Sequence, residues 1–179
     1  MNGKLFALLL PGAMLWGPGA SAQEPSPDLK PALAPLGRFV GTWEKRFTIF
    51  KSEWSPTEQA KTGTHSCKWI LDERHLQETG RDSDGSTYMS VYSYDAEAKA
   101  YRVSVFRSNG STWQMSGKWD AESSTFTWSQ ELGDGIRLTV VYRLVTPDEF
   151  KFSYVAKKSD DKVYYRVEGT GKRVEASKK

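Results

Sequence analysis

Apolar and polar residues alternate with a period of two along most of the chain after Gly41, and the alternation is cleanest beyond Ser111. Trp113, Met115, Gly117 and Trp119 form one row against Thr112, Gln114, Ser116 and Lys118. Phe126 and Trp128 then stand against Thr125, Thr127 and Ser129, and Leu138, Val140, Tyr142 and Leu144 against Arg137, Thr139, Val141 and Arg143. Phe150, Phe152 and Tyr154 oppose Lys151 and Ser153, and the last row sets Val163, Tyr165 and Val167 against Tyr164, Arg166 and Glu168. Period two is the signature of strands with one face buried, so the aromatic rows are expected to point inward. Between Ala60 and Tyr94 the pattern is less decided, because Tyr88, Tyr92 and Tyr94 oppose Met89 and Val91.

The turns between these runs fall on a fixed beat. Asp84-Gly85, Asn109-Gly110 and Asp134-Gly135 are each 25 residues apart, and Ser159-Asp160-Asp161 arrives where the next is due. Turns of a second kind lie between them, at Tyr94-Asp95-Ala96-Glu97, Trp119-Asp120-Ala121-Glu122 and Thr146-Pro147-Asp148-Glu149. Consecutive turns of an antiparallel meander alternate between its two ends, so the glycine turns are expected at one rim and the others at the opposite rim. Ten strands in this order predict an all-β, up-and-down barrel, because closure removes the exposed edges. Ala32 to Phe39 is expected to supply a short helical plug, and the connection from Ser52 to Glu58 is too short for a helical lid.

The N-terminus changes the picture of where such a barrel works. Lys4, the apolar run Leu5 to Leu10 and the small-residue site Ala20-Ser21-Ala22 read as an export signal over residues 1–22. Residues 23–35 then read as a flexible segment, 36–173 as the barrel and 174–179 as a basic, solvated tail. A periplasmic or secreted location follows from that leader, and no stretch predicts a membrane span. Cys67 is the single cysteine, so no intramolecular disulfide is available and packing has to supply the stability. The charge balance of 25 basic against 22 acidic residues argues for solubility and against a nucleic-acid partner.

Chemistry-bearing residues are few. His65 shares a strand face with Cys67 and Trp69, but no further ligands near them in sequence complete a metal site. Asp72, Glu73 and His75 form a candidate acid/base cluster, placed by this reading at the barrel mouth. No serine-nucleophile elbow, phosphate-cradling loop or calcium loop is present; Asn109-Gly110-Ser111 matches a glycosylation acceptor in a turn. The interior aromatics are the informative content: Trp113, Met115, Phe126, Trp128, Tyr142, Tyr154 and Tyr165 are the candidate ligand-binding residues for a small hydrophobic or planar molecule. Three readings stay open: a non-catalytic carrier, an enzyme using His75 with Asp72 or Glu73, and an interaction or inhibitor module with a packed barrel.

Gly41-Thr42-Trp43 on the first strand, after the plug segment, resembles the Gly-x-Trp signature of the calycin superfamily, which includes lipocalins and fatty-acid-binding proteins. With Trp69-Ile70-Leu71-Asp72 and the Tyr94-Asp95 turn, the stretch from Leu36 to Arg173 looks like an uncharacterised family of exported bacterial calycin-like domains, distantly similar to the haem-carrying nitrobindins. The resemblance implies that Trp43 packs across the barrel base. The nitrobindin motif continues with two further glycines where this chain has Glu44-Lys45-Arg46-Phe47, and no histidine follows His75 to hold a haem iron. Tyr164 or Tyr165 would be the remaining type of haem ligand, so the cofactor, like the oligomeric state, stays open.

Overall fold

The computed structural model describes residues 29–174; the expected export signal lies outside the described residues, as do 23–28 and 175–179. A short helix, α1 (Lys30–Gly37), precedes ten strands: β1 (Gly41–Ile49), β2 (Gln59–Ile70), β3 (His75–Asp82), β4 (Thr87–Asp95), β5 (Ala100–Arg107), β6 (Thr112–Asp120), β7 (Thr125–Glu131), β8 (Arg137–Thr146), β9 (Glu149–Lys157) and β10 (Val163–Arg173). Each strand pairs antiparallel with its sequence neighbours, and β1 closes on β10, with Trp43 opposite Arg173 and Ile49 opposite Val167. The result is the expected closed meander, with the glycine turns at one rim.

α1 begins at Lys30, and an eight-residue helix is marginal in water on its own. It persists by burying Leu33 and Leu36 in the barrel base, with the Tyr101 hydroxyl donating to the Ala32 carbonyl at 2.6 Å. Trp43, fully buried, packs across the base as the resemblance implies; its Nε1 donates to the Phe39 carbonyl at 2.7 Å. The Arg173 guanidinium lies 4.2 Å over the Trp43 ring and donates to Arg38 and Pro147 carbonyls, which locks the plug to the last strand. α1 therefore seals the rim opposite the glycine turns.

The registers settle the undecided region. Leu76, Glu78, Gly80 and Asp82 face inward on β3, and Tyr88, Ser90 and Tyr92 face them on β4, leaving Met89 and Val91 outside. Val163 departs from its expected row: a register shift between Val163 and Tyr165 puts Tyr165 inward and leaves Val163 43 % exposed. Inward glycines let large rings lie flat against the wall. At Gly117 an added Cβ would sit inside the Trp128 indole, and at Gly80 inside the Tyr88 ring.

Candidate functional site

The interior divides into two halves. Toward the plugged rim the rings are close-packed: Phe126 and Trp128 stack at 5.4 Å and 16°, Trp43 meets Phe150 edge-on at 5.1 Å, and Phe39 touches Phe126, Tyr142 and Phe150. A cavity of about 20 Å³ lies there, between His65, Glu78, Tyr92 and the core rings. That is space for a single water molecule.

Above this core lies a layer of polar side chains. Glu78 sits at its centre, accepting from the Tyr88 hydroxyl at 2.8 Å and the Tyr92 hydroxyl at 2.6 Å. Lys45 donates to the Tyr88 oxygen at 2.7 Å and lies 3.6 Å from Asp82, which in turn is 3.5 Å from Arg107. Tyr142 and Tyr154 share a short hydroxyl contact across two neighbouring strands. Burial pushes the Glu78 carboxyl upward, but His65 whenever it is protonated, the Lys45 ammonium and the two phenol hydroxyls hold it below the usual carboxylate range. Burial depresses His65 to about 4, against the pull of Glu78 3.9 Å away, so the imidazole is neutral. Burial, reinforced by the Glu78 charge, also raises Tyr88 and Tyr92 well above the ordinary phenol range, which keeps them as O–H donors.

Strand parity explains why these groups point inward, and it is the sequence signal that would have found them. Trp43 inward forces Lys45 inward two residues later, and Leu76 inward forces Glu78, Gly80 and Asp82 to follow. The alternation masked them because Glu44-Lys45-Arg46 and Gln77-Glu78-Thr79 are polar on both faces.

At the glycine-turn rim the wall changes again. Trp113, Tyr88, Tyr154, Tyr165 and Arg107 point inward yet remain only part-buried. The Arg107 guanidinium lies 5.5 Å over Trp113 and 6.0 Å from the Tyr88 ring. Among the described residues its one side-chain polar contact is the 3.5 Å approach to Asp82, which leaves most of its five N–H donors without a partner there. The connection after β1 brings Trp54, 60 % exposed, edge-on to Tyr165 at 4.8 Å, and no helix covers this rim among the described residues.

The seven candidate residues therefore do not form one surface. Met115, Phe126 and Trp128 are buried, the latter two in the packed half; Tyr142 and Tyr154 belong to the polar layer, while Trp113 and Tyr165 stand at the open rim. The Asp72, Glu73 and His75 cluster does not lie at the open mouth. It occupies the rim sealed by α1, because the turn after β2 falls on the same side as the Asp-Ala-Glu turns, and His75 points outward next to inward Leu76. Leu71, Asp72 and Glu73 all adopt positive φ there, a left-handed turn that aims both carboxylates into solvent. Cys67 is a free, buried thiol whose ionisation burial pushes far up. Among the described residues no three His, Cys, Asp or Glu side chains gather to hold a metal ion, and no helix is long and apolar enough to cross a membrane.

Solved structures that share this fold include two that align over most of the chain. The S-type phycobiliprotein lyase CPES from Guillardia theta is 13% identical with a TM-score of 0.58, covering 82% of this chain and 94% of its own. The Rv2717c protein from M. tuberculosis is 14% identical with a TM-score of 0.60, covering 82% of this chain and 99% of its own. At such identities the likeness extends to the fold. No curated protein matches the chain. A family model does match, over residues 31–173, which include the plug, the polar layer and both rims; the chain belongs to that family, described as a protein of unknown function (DUF1579).

Proposed function

We propose that the barrel is a non-catalytic carrier of a small, planar or partly apolar ligand, which enters through the glycine-turn rim. One contrast carries this reading. Phe126, Trp128 and Phe150, on the inner wall near the plug, are 1%, 2% and 0% exposed, whereas Trp113, Tyr154 and Tyr165, on the same wall near the other rim, keep accessible surface. The ligand body rests on Trp113 and Tyr165, over the floor made by Tyr88 and Tyr154. Its polar end is an acceptor, anionic or neutral, because what faces it is the underused Arg107 guanidinium beside phenol O–H donors. The polar layer below separates this site from the packed core and gives it a rigid base. Delivery outside the cytoplasm, read from residues 1–22, belongs to the same proposal.

The arrangement offers little for catalysis. The neutral His65 is sealed beneath the polar layer, the Cys67 thiol is buried and protonated, and the exposed carboxylates of Asp72 and Glu73 stand outside the closed end. The test is titration with the planar anionic probe anilinonaphthalene sulfonate against the parent, Trp113→Ala and Arg107→Gln, all natively folded. Saturable binding by the parent, weakened about tenfold in both variants, is the expected result. Equal binding in all three proteins would place the probe elsewhere and remove the support for this site.

A further inference from the structure

The interior site leaves the outer wall between β8 and β2 without a role. There the registers align Thr62, Arg46, Thr170, Lys151 and Arg143 in one row across five adjacent strands. All lie on the solvent face, and Arg46, Lys151 and Arg143 are exposed. Lys151 stands directly opposite Arg143, and like charges in that position repel and destabilise a sheet. Neighbouring rows are arranged differently. The row toward the plugged rim alternates in sign, Glu44 to Lys172 to Glu149, and on the other side Glu168 is held by Arg166 at 2.7 Å. Among the described residues the three cations of the row have no carboxylate within ion-pair distance. They border a groove of about 810 Å³ lined by the hydroxyls of Thr48, Thr170 and Ser153, by apolar Phe50 and Val141, and by Glu168, whose charge Arg166 already pairs.

We propose that this groove docks an acidic, extended segment of a partner protein. Charge complementarity selects the partner: carboxylates would neutralise a row of three cations that the fold leaves in mutual repulsion. The dimensions agree, since five strands about 4.8 Å apart span roughly 19 Å, the length of about six extended residues. Arg46 and Lys151 are two strand spacings apart, roughly 10 Å, which matches acidic side chains three residues apart on a segment in the extended polyproline II conformation, whose three residues per turn at about 3.1 Å each put positions i and i+3 on one face. A closed barrel has no free edge to which a strand can add, so recognition here has to come from side chains. Three cations on a chain of net charge +3 are few for nucleic acid, whose binders neutralise on the order of 6 to 10 phosphates.

The experiment follows the fluorescence anisotropy of a labelled octapeptide carrying aspartate at every third position, titrated with the whole protein. The comparison ligands are single-stranded oligothymidylate and vesicles of anionic phospholipid. Saturable peptide binding is expected, weakened at least tenfold by the pair Lys151→Glu and Arg143→Glu, and changed less than twofold by Lys118→Glu, an exposed cation on β6. The single change Lys151→Glu also separates lost docking from lost fold: it converts a repelling pair into an attracting one, so its melting temperature should equal or exceed the parent's. Absence of saturation, an equal loss in Lys118→Glu, a lower melting temperature for Lys151→Glu, or tighter binding of the oligonucleotide or vesicles than of the peptide would each overturn the proposal.

Discussion

Two tryptophans on neighbouring strands should respond to truncation in opposite ways, because they sit at different depths in one barrel. Trp128 is 2% exposed, stacks on Phe126, meets Tyr92 at 5.6 Å and Tyr101 at 6.3 Å, and fills the space that Gly117 leaves open. Trp128→Ala removes a fully buried indole from a close-packed region, which costs about 3 to 5 kcal/mol of stability. For a domain of this size each kcal/mol moves the melting temperature by about 2 to 4 °C, so a fall on the order of 10 to 15 °C is expected. Trp113 is part-buried, and its named partner is the Arg107 guanidinium 5.5 Å away, an interaction of about 0.5 to 1 kcal/mol. Trp113→Ala should therefore lower the melting temperature by only about 3 °C while removing an aromatic surface worth about 1 to 2 kcal/mol to a planar ligand. Thermal unfolding followed by circular dichroism, beside probe titration of each protein, checks both halves. Equal destabilisation by the two changes, with probe affinity untouched by Trp113→Ala, would refute the division of the interior into a packed half and an open half.

Other outcomes follow from the same structure. His65 is depressed by burial to about 4 against 6.5 in the unfolded chain, so the unfolded state binds more protons between those values. Its contribution is present in full above pH 6.5 and is lost as pH falls toward 4, by about 3 kcal/mol at about 1.4 kcal/mol per pH unit; urea unfolding from pH 7.5 to 4 should show that loss in the parent and much less of it in His65→Gln. Lys45→Met leaves Glu78 and Asp82 without their shared cation and should cost about 3 to 5 kcal/mol, part of it recovered when Glu78→Gln is added; a fully additive double-mutant cycle would contradict the network. Gly117→Val should unfold the barrel or cut its stability by several kcal/mol because the Trp128 ring occupies the added side chain's place, which thermal melts would report. Cys67 should react with a thiol reagent only at the rate of unfolding and leave no reductant-sensitive dimer on a gel.

What the sequence made legible is the architecture, and the reason is local. Turn chemistry every 25 residues and clean alternation in β6 to β9 are properties of neighbouring residues, and they need no knowledge of what packs on what. The polar layer was not legible because Lys45, Glu78 and Asp82 lie where both strand faces carry polar groups, so that only the inward parity of distant residues such as Trp43 and Leu76 assigns them, and because Arg107 ends β5 directly after an outward, apolar Phe106. Depth along the barrel was equally hidden. Trp113 and Trp128 belong to similar rows, yet one lies near the rim and the other beneath the polar layer, because turn position, strand stagger and the α1 plug set the level of each residue. Tyr165 could be placed on the inner face, but the bulge that turns Val163 out beside it has no mark in the alternation.

Native mass spectrometry of the protein purified from its own host tests the carrier reading most directly, because it weighs whatever the barrel retains. One discrete small-molecule mass is expected on the parent, released on denaturation and missing or much reduced in Trp113→Ala and Arg107→Gln while Thr127→Ala, on the outer wall, keeps it. A bare-chain mass from the parent, together with no saturable probe binding by the same preparation, would contradict it.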